Sequence, residues 1–159
     1  EYPNSFLNSP LHETRLIGWL TDWFGVDGFL RWAVAAWPPQ PWDRPKWRFP
    51  AGDLFFLYPG HDGTPVTSLR WEMLRQGIQE YELLQMARRA IEADAGKAGL
   101  RQRLRAAQRR TFRVQDLDEF NLMEKSREEL YADNYEDFDE ALRVVLELLD
   151  ELLVEAAGK

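Results

Sequence analysis

Three tryptophans, Trp32, Trp37 and Trp42, fall within the stretch GFLRWAVAAWPPQPW at residues 28–42, with Arg31 beside the first. A further aromatic, Tyr58, comes near the end of DLFFLYPG, and Arg70 and Glu72 flank Trp71 in SLRWE. Ring faces beside a few polar groups suit a sugar, whose axial C–H bonds form an apolar face while its hydroxyls need hydrogen-bond partners. Trp37 and Trp42 sit in a proline-fixed loop, where large exposed aromatics without a role invite aggregation, so both lean toward a site. Trp32 suits core and site equally, because strand residues alternate faces. Trp19 and Trp23 lie on the stripe of a helix and read as core, and Trp71 reads as packing.

Other chemistries find little support. The chain has no cysteine, which excludes disulfide scaffolds, zinc–thiolate sites and a cysteine nucleophile. Its two histidines, His12 near a helix start and His61 in a glycine-flanked turn, read as exposed polar residues. There is no GxSxG elbow for a serine nucleophile, and His12-Glu13 lacks the second histidine of a zinc-protease helix. Neither a metal nor a cofactor is expected. Glycoside hydrolysis needs two groups, often carboxyls, flanking the scissile bond. Adjacent acids occur at Asp118-Glu119, Asp139-Glu140 and Asp150-Glu151, all on acidic helix faces where solvated charge is the expected role. A net charge of -7 argues against nucleic acid as a partner, and the one basic run, Lys97 to Arg113, reads as a solvated helix face. No apolar run approaches the roughly 20 residues of a membrane span.

The elements that would hold these residues divide near Ala95. NSPLHETRLIGWLTDWFG predicts a helix with Ser9 as cap, Pro10 at the first position and Gly25 as the stop. GFLRWAVAAW predicts a strand covered on both sides, and DLFFLYPG a second short strand. Five prolines in the loop between them forbid regular structure. Residues 68–93 predict a long helix with Leu74, Ile78, Tyr81 and Leu84 as its buried stripe. Three more helices are expected at 99–111, 117–132 and 135–157. The last is capped by Asn134 and striped by Phe138, Leu142, Val145, Leu149 and Leu153. The rule that α/β barrels work at the C-terminal ends of their strands selects the same residues: Trp37 and Trp42 after one strand, Tyr58 at the end of the other. Arg70 and Glu72 read first as an ordered surface or barrel-mouth network, and second as sugar contacts.

GFLRWAVAAW, then PAGDLFFLYPG, then SLRWEMLRQGIQEYELL resembles the C-terminal part of the glycoside hydrolase family 123 catalytic domain. The resemblance covers roughly Asn4 to Arg89, and the tail more loosely. It implies a (β/α)8 barrel acting on N-acetylhexosamine glycosides, especially β-linked N-acetylgalactosamine, by a metal-free, substrate-assisted, retaining reaction. An Asp-Glu pair upstream of the matched region would do the chemistry, so no catalytic residue is carried over. Trp32, Trp37 and Tyr58 transfer as pocket lining. The chain departs from the family pattern at Ala35 and Ala36, where relatives often place an Asn.

The expected fold class is an α/β fragment, mostly helical: the last strands and helices of a (β/α)8 barrel in residues 1–95, followed by a helical C-terminal bundle in 96–159 packed on it. Beginning at Glu1 with no signal-peptide pattern, the chain reads as a processed or excised segment. The expected substrate-binding residues are Arg31, Trp32, Trp37, Trp42, Tyr58, Arg70 and Glu72. Two alternatives stand beside this: a non-catalytic carbohydrate-binding or structural module, and a protein-interaction role for the acidic tail with its apolar stripe exposed. Expected partners are carbohydrate and the missing N-terminal barrel portion. Open sheet edges in an isolated chain must be covered by dimerising, by strand exchange or by its own helices. Light scattering separates these outcomes, and a monomer with well-dispersed amide signals would reject the first two.

Overall fold

Helix α1 (Leu11–Trp23) is buried along nearly its whole surface, although its sequence mixes His12, Glu13, Thr14, Arg15 and Asp22 with its apolar residues. A computed structural model, which describes residues 3–120 and 125–158, shows what surrounds it. Helix α2 (Leu69–Glu92) lies along one flank. Helices α3 (Ala98–Thr111), α4 (Arg127–Leu130) and α5 (Tyr135–Ala157) follow, with single 3-10 turns at Ala95–Lys97 and Leu117–Phe120. The only named strands among the described residues, β1 (Tyr58–Pro59) and β2 (Pro65–Val66), form a two-stranded antiparallel hairpin. The protein is thus mostly helical with a small sheet.

The ends of α1 follow from local chemistry. Pro10, rather than Ser9, takes the cap position, without a side-chain bond. At the other end Gly25 adopts φ +62°, which glycine accepts without strain. Its N–H and that of Val26 then reach back to the Asp22 and Thr21 carbonyls at 3.1 Å each, closing the helix in a Schellman motif.

The packing of α1 on α2 is set by two glycines. A methyl group added to Gly18 would lie 2.0 Å from the Gly77 carbonyl oxygen, and one added to Gly77 would lie 2.4 Å from the Arg15 carbonyl oxygen. The two backbones therefore touch. This contact fixes which face of α2 is inward: Arg70, Gly77, Leu84 and Ile91, seven residues apart, with Glu80 and Ala87 between them. Of the expected stripe only Leu84 is buried, and Ile78 is 54% exposed. Proximity at the glycines, not side-chain bulk, chose the seam.

The main core runs between helices. Leu16, Trp19 and Trp23 of α1 meet Leu84, Ala87 and Ile91 of α2, Leu104 of α3, and Phe138, Val145 and Leu148 of α5. Asn134 caps α5 as expected, accepting the Asp137 N–H at 2.9 Å. Its stripe is packed rather than exposed, but turned by about one position. Ala141, Leu148 and Leu152 are buried with Phe138, Val145 and Leu149, while Leu142 is half-buried and Leu153 exposed. The helix expected over 117–132 is broken, and its residues 121–124 lie outside the described part. Its last turn, α4, starts in a capping box at Ser126. The chain then turns extended, because Arg113 and Ala132 donate to the Leu130 and Thr111 carbonyls and Phe112 bridges Tyr131.

GFLRWAVAAW is the largest departure. It is irregular, bending at Trp32 and Val34 rather than forming a strand, and it is not covered on both sides. One antiparallel bridge joins Ala35 to Phe55, supported by N–H donation from Ala36 to the Leu54 carbonyl and from Phe56 and Leu57 to that of Val34. Phe29, Leu30, Trp32 and Val34 are exposed. DLFFLYPG likewise is a strand only at Tyr58–Pro59. Central strands need a ladder on each side, and here a single bridge takes its place.

The glycine contact gives a direct test. Gly18→Ala or Gly77→Ala must push the helices apart, and each should destabilise the protein by at least about 1–3 kcal/mol. Gly99→Ala, where an added methyl meets nothing, should not. Urea denaturation of the three variants checks this.

Candidate functional site

The described structure gathers most of the expected site residues around one irregular strip, residues 52–59. The carbonyls of this strip have few ladder partners, and side chains take their place. Arg31 donates from Nη2 to the Asp53 carbonyl and, at 2.8 Å, to the Asp53 carboxylate, with its guanidinium 5.5 Å from the centre of the Phe56 ring. The Trp37 indole N–H donates to the Leu57 carbonyl at 2.7 Å, and that of Trp42 to the Pro59 carbonyl at 3.1 Å. Trp42 stacks on Tyr58 with ring centres 4.4 Å apart, and Tyr58 meets Phe55 edge-on at 5.1 Å.

Beneath the strip lies Arg70, only 4% exposed. Its Nη1 donates to the Ser5 and Gly52 carbonyls at 2.7 and 2.8 Å, and its Nη2 to the Phe55 carbonyl at 2.7 Å. The same cation sits 5.6 and 5.3 Å from the Phe55 and Phe56 ring centres. Gly52 stands at φ +83°, and a methyl there would lie 2.7 Å from Arg70 Nη1.

The other expected residues lie apart from this arrangement. Trp32 points to solvent at 78% exposure. Glu72 pairs with Arg75 at 2.8 Å on the outer flank of α2, so it shares no network with Arg70. Beside the strip, Phe29 and Gly28 face Ile17, Leu74, Ile78 and Tyr81 across an open apolar groove of about 300 Å³.

Sequence reasoning missed the polar groups of the helical core. Glu80, 2% exposed, accepts both Arg15 Nε and the Trp19 indole N–H, the latter at 2.6 Å, and Arg15 reaches on to Asp139 at 2.9 Å. Asp22 accepts from Gln85, Gln108 and Arg88. Burial pushes its carboxyl above the usual range, against the pull of Arg88 and the two amides. Glu13 accepts from the Asn4 backbone, the Tyr131 hydroxyl and Arg127 at 2.8, 2.8 and 2.7 Å. A charge on nearly every turn of α1, within an otherwise apolar helix, was the only available signal. Each of these carboxylates is held by a guanidinium, an arrangement suited to fixing helices rather than to exchanging protons. Among the described residues no cluster of three or more His, Asp or Glu side chains could hold a metal.

His12 also departs from expectation. It is buried, not exposed, against Tyr135 edge-on at 5.9 Å and Phe138 at 6.0 Å. His61 is exposed as expected.

All the expected site residues fall inside one family match. Residues 1–87, more than half of the chain, match the family described as glycoside hydrolase 123, catalytic domain. The chain belongs to that family of glycoside hydrolases, which makes carbohydrates its substrate class. No curated protein matches the sequence.

Burial holds the His12 imidazole below its usual value, more strongly than Glu13 and Asp133 raise it, with Arg127 also lowering it. Unfolded chain therefore binds a proton on His12 that the folded protein resists. The stability tied to this residue is present above about pH 6.5 and is lost as pH falls from there toward the lowered folded value. Melting temperatures between pH 7.5 and 5 should fall, and His12→Phe should flatten that part of the curve.

Proposed function

We propose that this chain is the closing portion of a (β/α)8 glycosidase barrel acting on N-acetylhexosamine glycosides, and that it supplies aromatic wall rather than the acid/base pair. In this reading residues 1–95 end the barrel and 96–159 form a helical bundle packed on it. The observation that carries it is the clustering of Trp37, Trp42 and Tyr58 on one strip of backbone within the family-matched residues. Trp37 and Trp42, 40% and 56% exposed, leave aromatic surface that suits the C–H side of a pyranose. The exposed Phe29, Leu30, Trp32 and Val34, with the groove beside them, support further sheet covering this flank, whether the rest of the barrel or a second copy of the chain.

A second reading, a non-catalytic carbohydrate-binding or structural module, is favoured by the state of the buried acids. Glu13, Asp22 and Glu80 are each tied to arginine among the helices, so all three join elements of the fold.

The purified chain should not hydrolyse a nitrophenyl N-acetylgalactosaminide, and robust turnover would overturn the proposal. N-acetylgalactosamine should quench tryptophan emission, and Trp37→Ala or Trp42→Ala should abolish the change while the helical circular dichroism of the folded chain is kept. If these substitutions affect only stability or solubility, the rings are packing and no wall exists.

A further inference from the structure

The proposed wall is built on a backbone strip that has no regular sheet to hold it. Between Gly52 and Pro59, side chains hold the carbonyls of residues 52, 53, 55, 57 and 59, and the Ala36 N–H holds that of Leu54. From the inner side come Arg70, to Gly52 and Phe55, and Arg31, to Asp53. From the outer side come Trp37, to Leu57, and Trp42, to Pro59. The two tryptophans therefore hang from a strip held by three backbone bonds to residues 34–36, by Arg31 at Asp53, and by Arg70, the one side chain that joins Gly52 and Phe55 to Ser5.

We infer that Arg70 is the positioning residue of the aromatic wall: it never touches ligand, and it sets where Trp37, Trp42 and Tyr58 stand by fixing the backbone that carries or holds them. This rests on the reading of these rings as a sugar-binding wall, and it replaces a direct role for Arg70 in binding. Burial supports the assignment, since a residue 4% exposed cannot reach a ligand on the open ring faces. So does donor geometry. The planar fork spans three carbonyls on two separate segments, Ser5 on one side and Gly52 with Phe55 on the other. Lysine, a point charge on a flexible stem, cannot reproduce that span. Gly52 completes the device, because any side chain there would collide with the guanidinium.

The test needs a readout that tells a displaced wall from a damaged fold, and the indole N–H resonances provide one. Trp37 and Trp42 report the wall. Trp19, whose N–H is bound to Glu80 in the helical core, reports the fold. In Arg70→Lys the Trp37 and Trp42 indole signals should shift and their hydrogen exchange should quicken by about tenfold or more, as expected for losing charge-assisted bonds, while Trp19 stays unchanged. Gly52→Ala should give the same pattern with Arg70 intact, and both variants should weaken N-acetylgalactosamine binding by a similar factor. Unchanged Trp37 and Trp42 signals in Arg70→Lys overturn the inference. So does a change that includes Trp19 in both variants, which makes Arg70 a general support of the fold. If the indoles respond as expected but wild-type protein binds no sugar, the functional reading fails and the positioning role stands. If wild type binds sugar and the indoles do not respond, the reverse holds.

Discussion

Contact between the α1 and α2 backbones at Gly18 and Gly77 is the constraint on which the helical half depends. With no side chain between them, the helices approach until the Gly77 oxygen lies where a Gly18 methyl would sit. At that separation Glu80, one turn beyond Gly77, faces both Arg15 and Trp19 and receives their donors together. A buried ion pair of this kind contributes little net stability, but it tolerates only one geometry. It locks the register of α1 on α2, and through the second bond from Arg15 to Asp139 it draws α5 into the same arrangement. Asp22, held by Gln85 and Arg88 of α2 and Gln108 of α3, repeats the scheme toward the far end of α1.

The helices were legible in sequence wherever ends carried their own chemistry. Asn134 caps α5 and Gly25 stops α1 as their sequences suggest, and α2 spans nearly the whole expected range, with Ser68 as its cap. The inward faces were harder to read. A stripe of Leu74, Ile78 and Tyr81 is the natural choice for α2 by hydrophobicity, yet the buried line runs through Arg70, Gly77 and Glu80, which hydropathy ranks as surface. Closeness and polar complementarity decided the matter, and both are properties of pairs of helices rather than of one segment. The same holds for His12, whose aromatic surroundings come from residues more than 100 positions away.

Strands were the least legible element. GFLRWAVAAW has the composition of a buried strand, and its neighbour DLFFLYPG does too, but pairing is a matter of partners and each finds almost none. Composition did single out the aromatic residues that gather at the strip, since Trp37, Trp42 and Tyr58 were conspicuous by type and by the prolines around them. What no pattern announced was the framework beneath. Arg70 reads in sequence as part of a surface or barrel-mouth network or as a sugar contact, and only the folded chain shows it buried and spanning three carbonyls.

The bonds that hold Trp37 and Trp42 also limit what those rings can say to a ligand. Indole has one donor and no acceptor, and in both residues that donor is already spent on the main chain. What remains is a flat π surface, which attracts C–H bonds and cations but can bind no hydroxyl by donating to it. Any recognition by hydrogen-bond donation at this strip has to come from groups other than these two indoles.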